Sequence, residues 1–539
     1  MPTVPELVIE RAWQEGIRHF FGLPSSGVLL HLLDAGRRRG VEFVSTAHES
    51  AGVIAAAYNG YFAGSAGLAI GIQGPGAGNM VGGAVNMQFE RKPVVCVCEC
   101  PAAADFGDWG QQADHPGLFH PTATACLRME PQSAAQTVYD AFRLSAGSRC
   151  GPVLLELPRD LGTCQADSDV AVAFENSPQE PDPTELDALG DRVSSFERPV
   201  IIVGADVRKE GLVSGLLPVA ESLQAAVLVT MDARGVFPET HPRFGCVYIG
   251  TAPPHALYRS FLEEADGVLV VGADGRMKEA RWDIDVPVCE LVTQPEFPAL
   301  SGTGGLRVNG RLAPSLERLA RHRNPVGFPV ARIAALRAAA GPRFERPPAA
   351  QLAVQDIIAI TREQLPPDGL LFAETGVFQS MLEYLWPVTV PDTFFGSTVG
   401  RTMGLTIPAL LGASLACPDR PMIGFGTDGS TLMRLGELEV FARMGAVAPL
   451  VVVNDGALGT IRAQQRFQGL PDYGLQLTLV DFARVARALG LNGVVVDTPE
   501  DFAAALERAW GAQTATVIDA RIDPQAYRDS FMVTTGMVP

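Results

Sequence analysis

Short apolar runs alternate with amphipathic stretches along most of this chain, the pattern of strands separated by helices in a mostly parallel sheet. Over residues 1–165 the runs at 19–22, 42–45, 67–72, 93–100 and 152–157 predict strands, and the stretches 6–16, 27–38 and 49–63 predict helices. Residues 166 to about 185 are rich in Asp, Glu, Pro and Ser without sustained periodicity, which predicts a linker. A second series has strand-like runs at 199–203, 226–230 and 267–271 and fades into a Pro- and Arg-rich stretch at 324–348. A third begins at 350, with runs at 369–373, 421–425, 449–453, 493–496 and 516–519. The expected fold is α/β, with three doubly wound units at 1–165, 186–330 and 350–539 and ligands bound where loops leave the C-terminal ends of strands.

Composition narrows the partners. With 539 residues and 47% hydrophobic content the chain has ample material for several cores. Its 42 basic and 60 acidic side chains give a formal charge of −18, which argues against a nucleic-acid or anionic-membrane surface. The nine cysteines form no CxxC pair, so neither a disulfide framework nor a zinc knuckle is expected, and a reducing cytoplasm fits best. Cys96, Cys98 and Cys100 alternate along one apolar run and are assigned to packing. No signal peptide and no uninterrupted apolar run of about 18 residues is present, so no membrane span is expected.

Two turns carry chemistry. Gly426-Thr427-Asp428-Gly429-Ser430 follows the run at 421–425, and Asn454 of Val453-Asn454-Asp455-Gly456 ends the next run, 26 residues after Asp428. A carboxylate and a carboxamide offer the oxygen ligands that Mg²⁺ or Ca²⁺ prefers, and the amides of a glycine turn entering a helix favour phosphate. Either turn alone is an ordinary strand-to-helix connection with a capping Asp. Together they indicate a metal and diphosphate site.

This pair resembles the signature of thiamine-diphosphate enzymes: Gly-Asp-Gly, a spacer of this length, and Asn at the close of the next strand. The resemblance implies that Asp428, Asn454 and the Gly456 carbonyl hold Mg²⁺, with Gly426, Thr427, Gly429, Ser430, Leu458 and Gly459 around the diphosphate. Thr427 departs from the pattern, standing where the first glycine usually sits and narrowing the turn. Ala47-His48-Glu49-Ser50-Ala51-Gly52 is similar to the family segment whose glutamate binds N1′ of the aminopyrimidine and activates the thiazolium, which makes Glu49 catalytic. Without that resemblance Glu49 is a helix-start glutamate favoured by the dipole. Gly74-Pro75-Gly76-Ala77-Gly78-Asn79 resembles the Gly-Pro-Gly loop against the pyrimidine, adding Gly74 and Asn79 to the cofactor-binding set together with Pro24. Met403, within Gly400-Arg401-Thr402-Met403-Gly404-Leu405, matches the apolar wedge beneath the cofactor, and Glu374 and Gln379 fall in the segment reaching over the diphosphate.

Gly151-Pro152-Val153-Leu154-Leu155-Glu156-Leu157-Pro158-Arg159-Asp160 resembles the acetolactate synthase-like branch. That branch implies a homodimer or homotetramer with active sites between subunits. It also implies a 2-oxo acid substrate that loses carbon dioxide and an acceptor that takes the acyl unit. Gln111 and His115, on the loop Gly110-Gln111-Gln112-Ala113-Asp114-His115, become catalytic candidates, His115 as a proton donor. The chain has no His-His pair, and Thr460 stands where simple decarboxylases carry a glutamate, which disfavours aldehyde release. Gln464 replaces the usual acceptor-pocket tryptophan, and Gly272-Ala273-Asp274-Gly275-Arg276 lacks the acceptor-binding Arg directly after Gly-Ala, so a different acceptor is expected. FAD is not favoured, because the central unit shows no convincing fingerprint. The competing readings are a simple 2-oxo acid decarboxylase and a catalytically silent homologue acting as a binding subunit. Retention of Glu49, Asp428 and Asn454 together argues against silence.

Overall fold

The computed structural model describes residues 1–105, 107, 110–170, 179–209, 211–248, 257–275, 282, 284–296, 298–300, 305–348 except 341–343, 350–397 and 399–523. Among them lie three six-stranded sheets. The first holds β1 (His19–Gly22), β2 (Glu42–Ser45), β3 (Gly67–Gly71), β4 (Val94–Cys100), β5 (Ala125–Arg128) and β6 (Pro152–Pro158). The second holds β7 (Pro199–Val203), β8 (Ala226–Thr230), β9 (Phe244–Tyr248), β10 (Gly267–Val271), β11 (Val288–Val292) and β12 (Arg307–Asn309). The third holds β13 (Leu370–Ala373), β14 (Phe394–Gly396), β15 (Met422–Thr427), β16 (Pro449–Asn454), β17 (Asn492–Val496) and β18 (Thr516–Arg521). Every pairing within these sheets is parallel, as the buried apolar runs require. The α/β fold class is the expected one.

The first sheet runs β2-β1-β3-β4-β6-β5 and the third runs β14-β13-β15-β16-β18-β17, the same topology twice. The second runs β12-β11-β10-β7-β8-β9, which is the other doubly wound order. In such sheets ligands bind outside the carboxyl ends of the strands where the order reverses. In the first sheet that point lies between β1 and β3, just ahead of Pro24 and Gly74. In the third it lies between β13 and β15, just ahead of Glu374 and Asp428.

The structure adds elements that the apolar pattern did not predict. β5, β9, β12 and β14 lie next to the outermost strand or are themselves outermost, and β12 and β14 have three residues each. β11 is interior but carries Glu290, which interrupts the apolar run; its buried carboxylate accepts from Leu300 N at 2.8 Å. The stretch at 324–348 is not merely a fading tail: it contains the helix Val330–Ala340, which buries Ile333 and Leu336 in the core of the second sheet. The helix expected at about 435 runs Glu437–Met444, and a separate short helix, Asp428–Met433, begins on the motif itself. No helix among the described residues is long and apolar enough to cross a membrane.

One continuous core joins the first sheet's unit to the third, with Phe21, Tyr58 and Ala55 packed with Phe372 and Leu410. Its axis is the crossing of helices Glu49–Phe62 and Thr406–Ala416. A Cβ on Gly412 would lie 2.0 Å from the Ala55 carbonyl oxygen, and Asn59 Nδ2 donates to the Gly412 carbonyl at 3.1 Å. Only glycine permits this approach. Gly412→Ala is therefore expected to destabilise by about 2 kcal/mol through overpacking, despite alanine's better helix propensity. Urea unfolding monitored by far-UV circular dichroism checks this, and a midpoint equal to wild type would contradict it.

Candidate active site

β15 and β16 are neighbours in register, Thr427 opposite Val453, so Asp428 and Asn454 leave adjacent strand ends together. Parallel strands stand about 4.8 Å apart, which puts the two side chains within reach of one small ion. Asp428 is buried, its Oδ1 accepting from Gly429 N at 2.7 Å and its Oδ2 from Ala457 N at 3.1 Å. Burial pushes its carboxyl above the usual range. Asn454 Nδ2 donates to Asp519 Oδ1 at 2.8 Å and to the Val480 carbonyl at 3.0 Å, while its Oδ1 is enclosed with no hydrogen-bond partner. A buried carbonyl oxygen without a donor is costly. A hard divalent cation would satisfy this oxygen and the Asp428 carboxylate alike, a donor set of the kind that Mg²⁺ takes. Gly456, expected as the third ligand, lies against Asp428 through its backbone N–H, with its carbonyl engaged elsewhere. Its carbonyl accepts from Gln476 Nε2 at 2.6 Å and from Leu477 N at 2.8 Å, which uses both lone pairs.

Thr427, the irregular residue of the motif, caps the Asp428–Met433 helix. Its N–H donates to Ser430 Oγ at 3.0 Å while its own hydroxyl receives the Ser430 N–H, a reciprocal box that a glycine cannot form. Gly429 sits under a small apolar roof, where an added Cβ would meet Leu458 Cδ2 at 2.9 Å and Met403 Cε at 3.2 Å. The fold thus brings Met403 and Leu458 to the turn that holds Asp428, and Gly459 opens the helix that follows Leu458. Gly426 is similarly tight, with Thr431 Oγ1 2.7 Å from where its Cβ would be.

The segment from Glu374 to Gln379 meets this turn at Gly376, where an added Cβ would lie 3.5 Å from Thr427 Cγ2, while the Glu374 and Gln379 side chains are buried in the fold. The Glu374 carboxylate is buried and accepts from Gly404 N at 2.8 Å and Thr406 N at 2.6 Å, which fastens the segment that carries Met403; burial pushes it up to about 7. Gln379 is fully buried on the helix Val377–Leu385 and donates to the Ser397 carbonyl at 3.0 Å.

The second cluster lies on the first sheet. His48 caps the helix Glu49–Phe62, accepting from Ser50 N at 3.1 Å, so Glu49 opens that helix. The Glu49 carboxylate is buried and accepts from Asn79 Nδ2 at 3.0 Å, with Oε1 3.3 Å from where a Cβ on Gly76 would be. Gly74 has φ 65°, and an added Cβ would lie 2.2 Å from the Gln111 carbonyl oxygen. Pro24 and Gln111 are exposed nearby in sequence to the loops after β1 and before His115. His115, expected as a proton donor, lies against the glycine loop. It is buried, its Nε2 accepts from Gly74 N at 2.9 Å, and its Nδ1 lies 3.2 Å from Glu156 Oε1. The ring holds the glycine loop through its Nε2.

Among the described residues, no hydrogen bond joins the Glu49 cluster to the Asp428 cluster; the Glu49 carboxylate bonds only to Asn79. Three supporting residues escaped the motif reading. Glu437 accepts from Ala47 N at 3.2 Å, tying the third sheet's unit to the segment before Glu49. Asp519 orients Asn454, and Glu99 accepts from Ser25 Oγ at 2.5 Å and pairs with Arg159 Nε at 3.1 Å beneath the Pro24 loop. Each is a buried carboxylate within an otherwise ordinary strand or helix start, and a single sequence does not distinguish that from a solvated one. Cys96, Cys98 and Cys100 are buried with thiols pushed up by burial, Cys100 to about 12, and no metal-holding group of His, Cys, Asp and Glu occurs among the described residues. Arg276 lies outside the described residues.

Family models meet the chain in three consecutive blocks. The N-terminal TPP binding domain of thiamine pyrophosphate enzymes matches residues 2–118, their central domain 186–285, and their C-terminal TPP binding domain 374–520. The chain therefore belongs to the thiamine pyrophosphate enzyme family. Among its relatives is the acetolactate synthase large subunit of Parasynechococcus marenigrum, 28% identical over 94% of this chain and 86% of that one. The acetolactate synthase isozyme 1 large subunit of Escherichia coli is 24% identical over 97% of this chain and 94% of that one. The fold is shared with the thiamine diphosphate-dependent 4-hydroxybenzoylformate decarboxylase of Rhodococcus jostii RHA1, at TM-score 0.82 and 22% identity over 97% of this chain and 99% of that one. It is also shared with benzoylformate decarboxylase from Polynucleobacter necessarius, at TM-score 0.84 and 18% identity over 97% and 99%.

Burial pushes both Glu374 and Glu437 from 4.5 up to about 7 in the protein without cofactor. The folded state then holds more protons than the unfolded state between these values, so the stability each contributes is full below about 4.5 and lost as pH rises through about 7. Glu437→Gln is expected to flatten part of that decline. Urea midpoints of the apoprotein at pH 5 and pH 8 test it; an equally steep fall in wild type and variant would contradict the assignment.

Proposed function

We propose that the chain is a thiamine-diphosphate- and Mg²⁺-dependent carboligase or lyase that decarboxylates a 2-oxo acid and transfers the acyl unit to an acceptor. The observation that carries this reading is the enclosed, unpartnered Asn454 Oδ1 at the end of β16, the strand that pairs with the Asp428-bearing β15 beside the switch point of a family-matched sheet. When bound, thiamine diphosphate supplies a carbon nucleophile and the electron sink that decarboxylation needs. Asp428 and Asn454 would hold the Mg²⁺. Met403 and Leu458 support the cofactor from the Gly429 side, and Glu374 keeps the Met403 segment in place through Gly404 and Thr406. Glu49, oriented by Asn79, would hold a proton at the aminopyrimidine N1′.

Ligation over aldehyde release is supported by three features. Thr460 offers no carboxyl group, no His-His pair is present, and His115 is engaged by Gly74. Gln464, in place of an acceptor-pocket tryptophan, supports an acceptor more polar than that of the biosynthetic synthases.

We further propose that each active site joins Glu49 of one subunit to Asp428 of another. The helix Gly459–Phe467 has no buried residue, and Met433, Ile461, Phe467, Leu470 and Tyr473 are exposed on the segments that follow the two metal-ligand turns, Tyr473 at 81%. Apolar groups gathered beside a polar site suit a face covered by a second copy. A cytoplasmic location fits the free cysteines.

With a panel of 2-oxo acids, Mg²⁺ and thiamine diphosphate, carbon dioxide release is expected, with Glu49→Gln lowering kcat by ~10²-fold or more. Turnover unaffected by that change would contradict the role of Glu49. Asp428→Ala is expected to abolish Mg²⁺-dependent cofactor binding in calorimetry. With an added aldehyde or oxo-acid acceptor, mass spectrometry is expected to find a coupled product, and free aldehyde alone would establish simple decarboxylation instead. Ile461→Glu is expected to shift the sedimenting species toward monomer; an unchanged oligomer would place the interface elsewhere.

A further inference from the structure

A cavity of about 460 Å³ opens where the first sheet's unit meets the second, and none of the residues proposed to hold the cofactor lines it. Its walls carry Arg91, Arg143 and Lys209 against a single carboxylate, Asp206. In a chain of formal charge −18, three cations on one small cavity run against the overall field. Asp206 is already committed. Its Oδ1 lies 2.9 Å from Arg91 Nη2, and its Oδ2 accepts from the Thr293 hydroxyl. Lys209 donates to the Ser148 carbonyl at 3.3 Å and pairs with no carboxylate among the described residues. Arg91 Nη2 donates to the same carbonyl at 3.2 Å, which brings both cations to one end of the cavity. The Ser148 hydroxyl at that end is enclosed without a hydrogen-bond partner. Lys209 is exposed to solvent where it lines the cavity.

We propose that this cavity binds a small dianion through a carboxylate or phosphate head group. Lys209 and Arg91 meet its charge and the Ser148 hydroxyl donates to one oxygen, while Tyr61 and Pro93 provide an apolar wall for the rest of the ligand. The volume is that of a metabolite site rather than of a single ion. The site also touches all three units. Tyr61 donates to Asp392 of the third, and Arg208, adjacent to Lys209, lies 3.2 Å from the same carboxylate. An anion seated here stabilises that junction, so binding raises the melting temperature.

The test is calorimetric titration of the holoprotein, saturated with thiamine diphosphate and Mg²⁺ so that the diphosphate cleft is already filled. Inorganic phosphate and succinate are the probes, in separate arms. Saturable binding of either at one per chain is expected, with a rise in melting temperature. Lys209→Gln is expected to weaken it ~10-fold or more, and Ser148→Ala less, with melting temperatures in the absence of anion unchanged. Whichever arm binds identifies the head group. Failure of both arms to bind, or binding that Lys209→Gln leaves intact, would overturn the proposal. Because the readout is binding and not turnover, failure of the proposed catalytic function would leave this result interpretable.

Discussion

The site depends on the parallel pairing of β15, β16 and β18. That pairing sets Thr427 opposite Val453 and Val452 opposite Asp519, so a carboxylate on the last strand sits behind the amide that ends its neighbour. Asp519, fully buried, accepts a hydrogen bond from Asn454 Nδ2 and leaves the enclosed Oδ1 without a donor. The amide is thereby oriented before any ion arrives. Such preorganisation is what a metal site gains from residues that do not touch the metal. Asp455 shows the cost of the arrangement: burial, with Asp428 beside it, pushes it up to about 7.

The second dependence is between units. The Gly412 approach to Ala55 and the Glu437 contact with Ala47 lock the start of the Glu49 helix onto the third sheet's unit. The same topology used twice gives two switch points, one offering Glu49 with the Gly74 loop and the other offering Asp428 with Asn454. Glu374 and His115 share one task at these two places. Each is a buried titratable side chain spent on backbone N–H groups of a glycine-containing segment, Gly404 for Glu374 and Gly74 for His115. The glycine-containing loops at both switch points are thus held by buried side chains.

The central strands of all three sheets were legible because each is a buried run of Val, Ile and Leu, whose pattern survives without knowledge of neighbours. Edge strands such as β5 and β14 were not, since half-buried or three-residue runs carry no distinct period. β11 was hidden by Glu290, whose burial depends on a partner, Leu300, that only the fold supplies. In the candidate site, Asp428, Asn454 and Glu49 announce themselves by turn chemistry and spacing. Asp519, Glu437 and Glu99 do not, because a buried carboxylate and a solvated one look alike in sequence. Thr427 appeared as an irregularity in a glycine turn; the structure gives it a capping role that glycine lacks.

The central claim is that one active site draws Glu49 from one subunit and Asp428 from another, and subunit mixing tests it most directly. Glu49→Gln and Asp428→Ala, each inactive alone, are dissociated, combined and reassociated, and carbon dioxide release from the 2-oxo acid that wild type accepts is measured. A shared site predicts recovery, because each mixed dimer holds one site with both groups intact, giving about a quarter of wild-type activity on random pairing. No recovery, with mixed dimers demonstrated by mass, would contradict it.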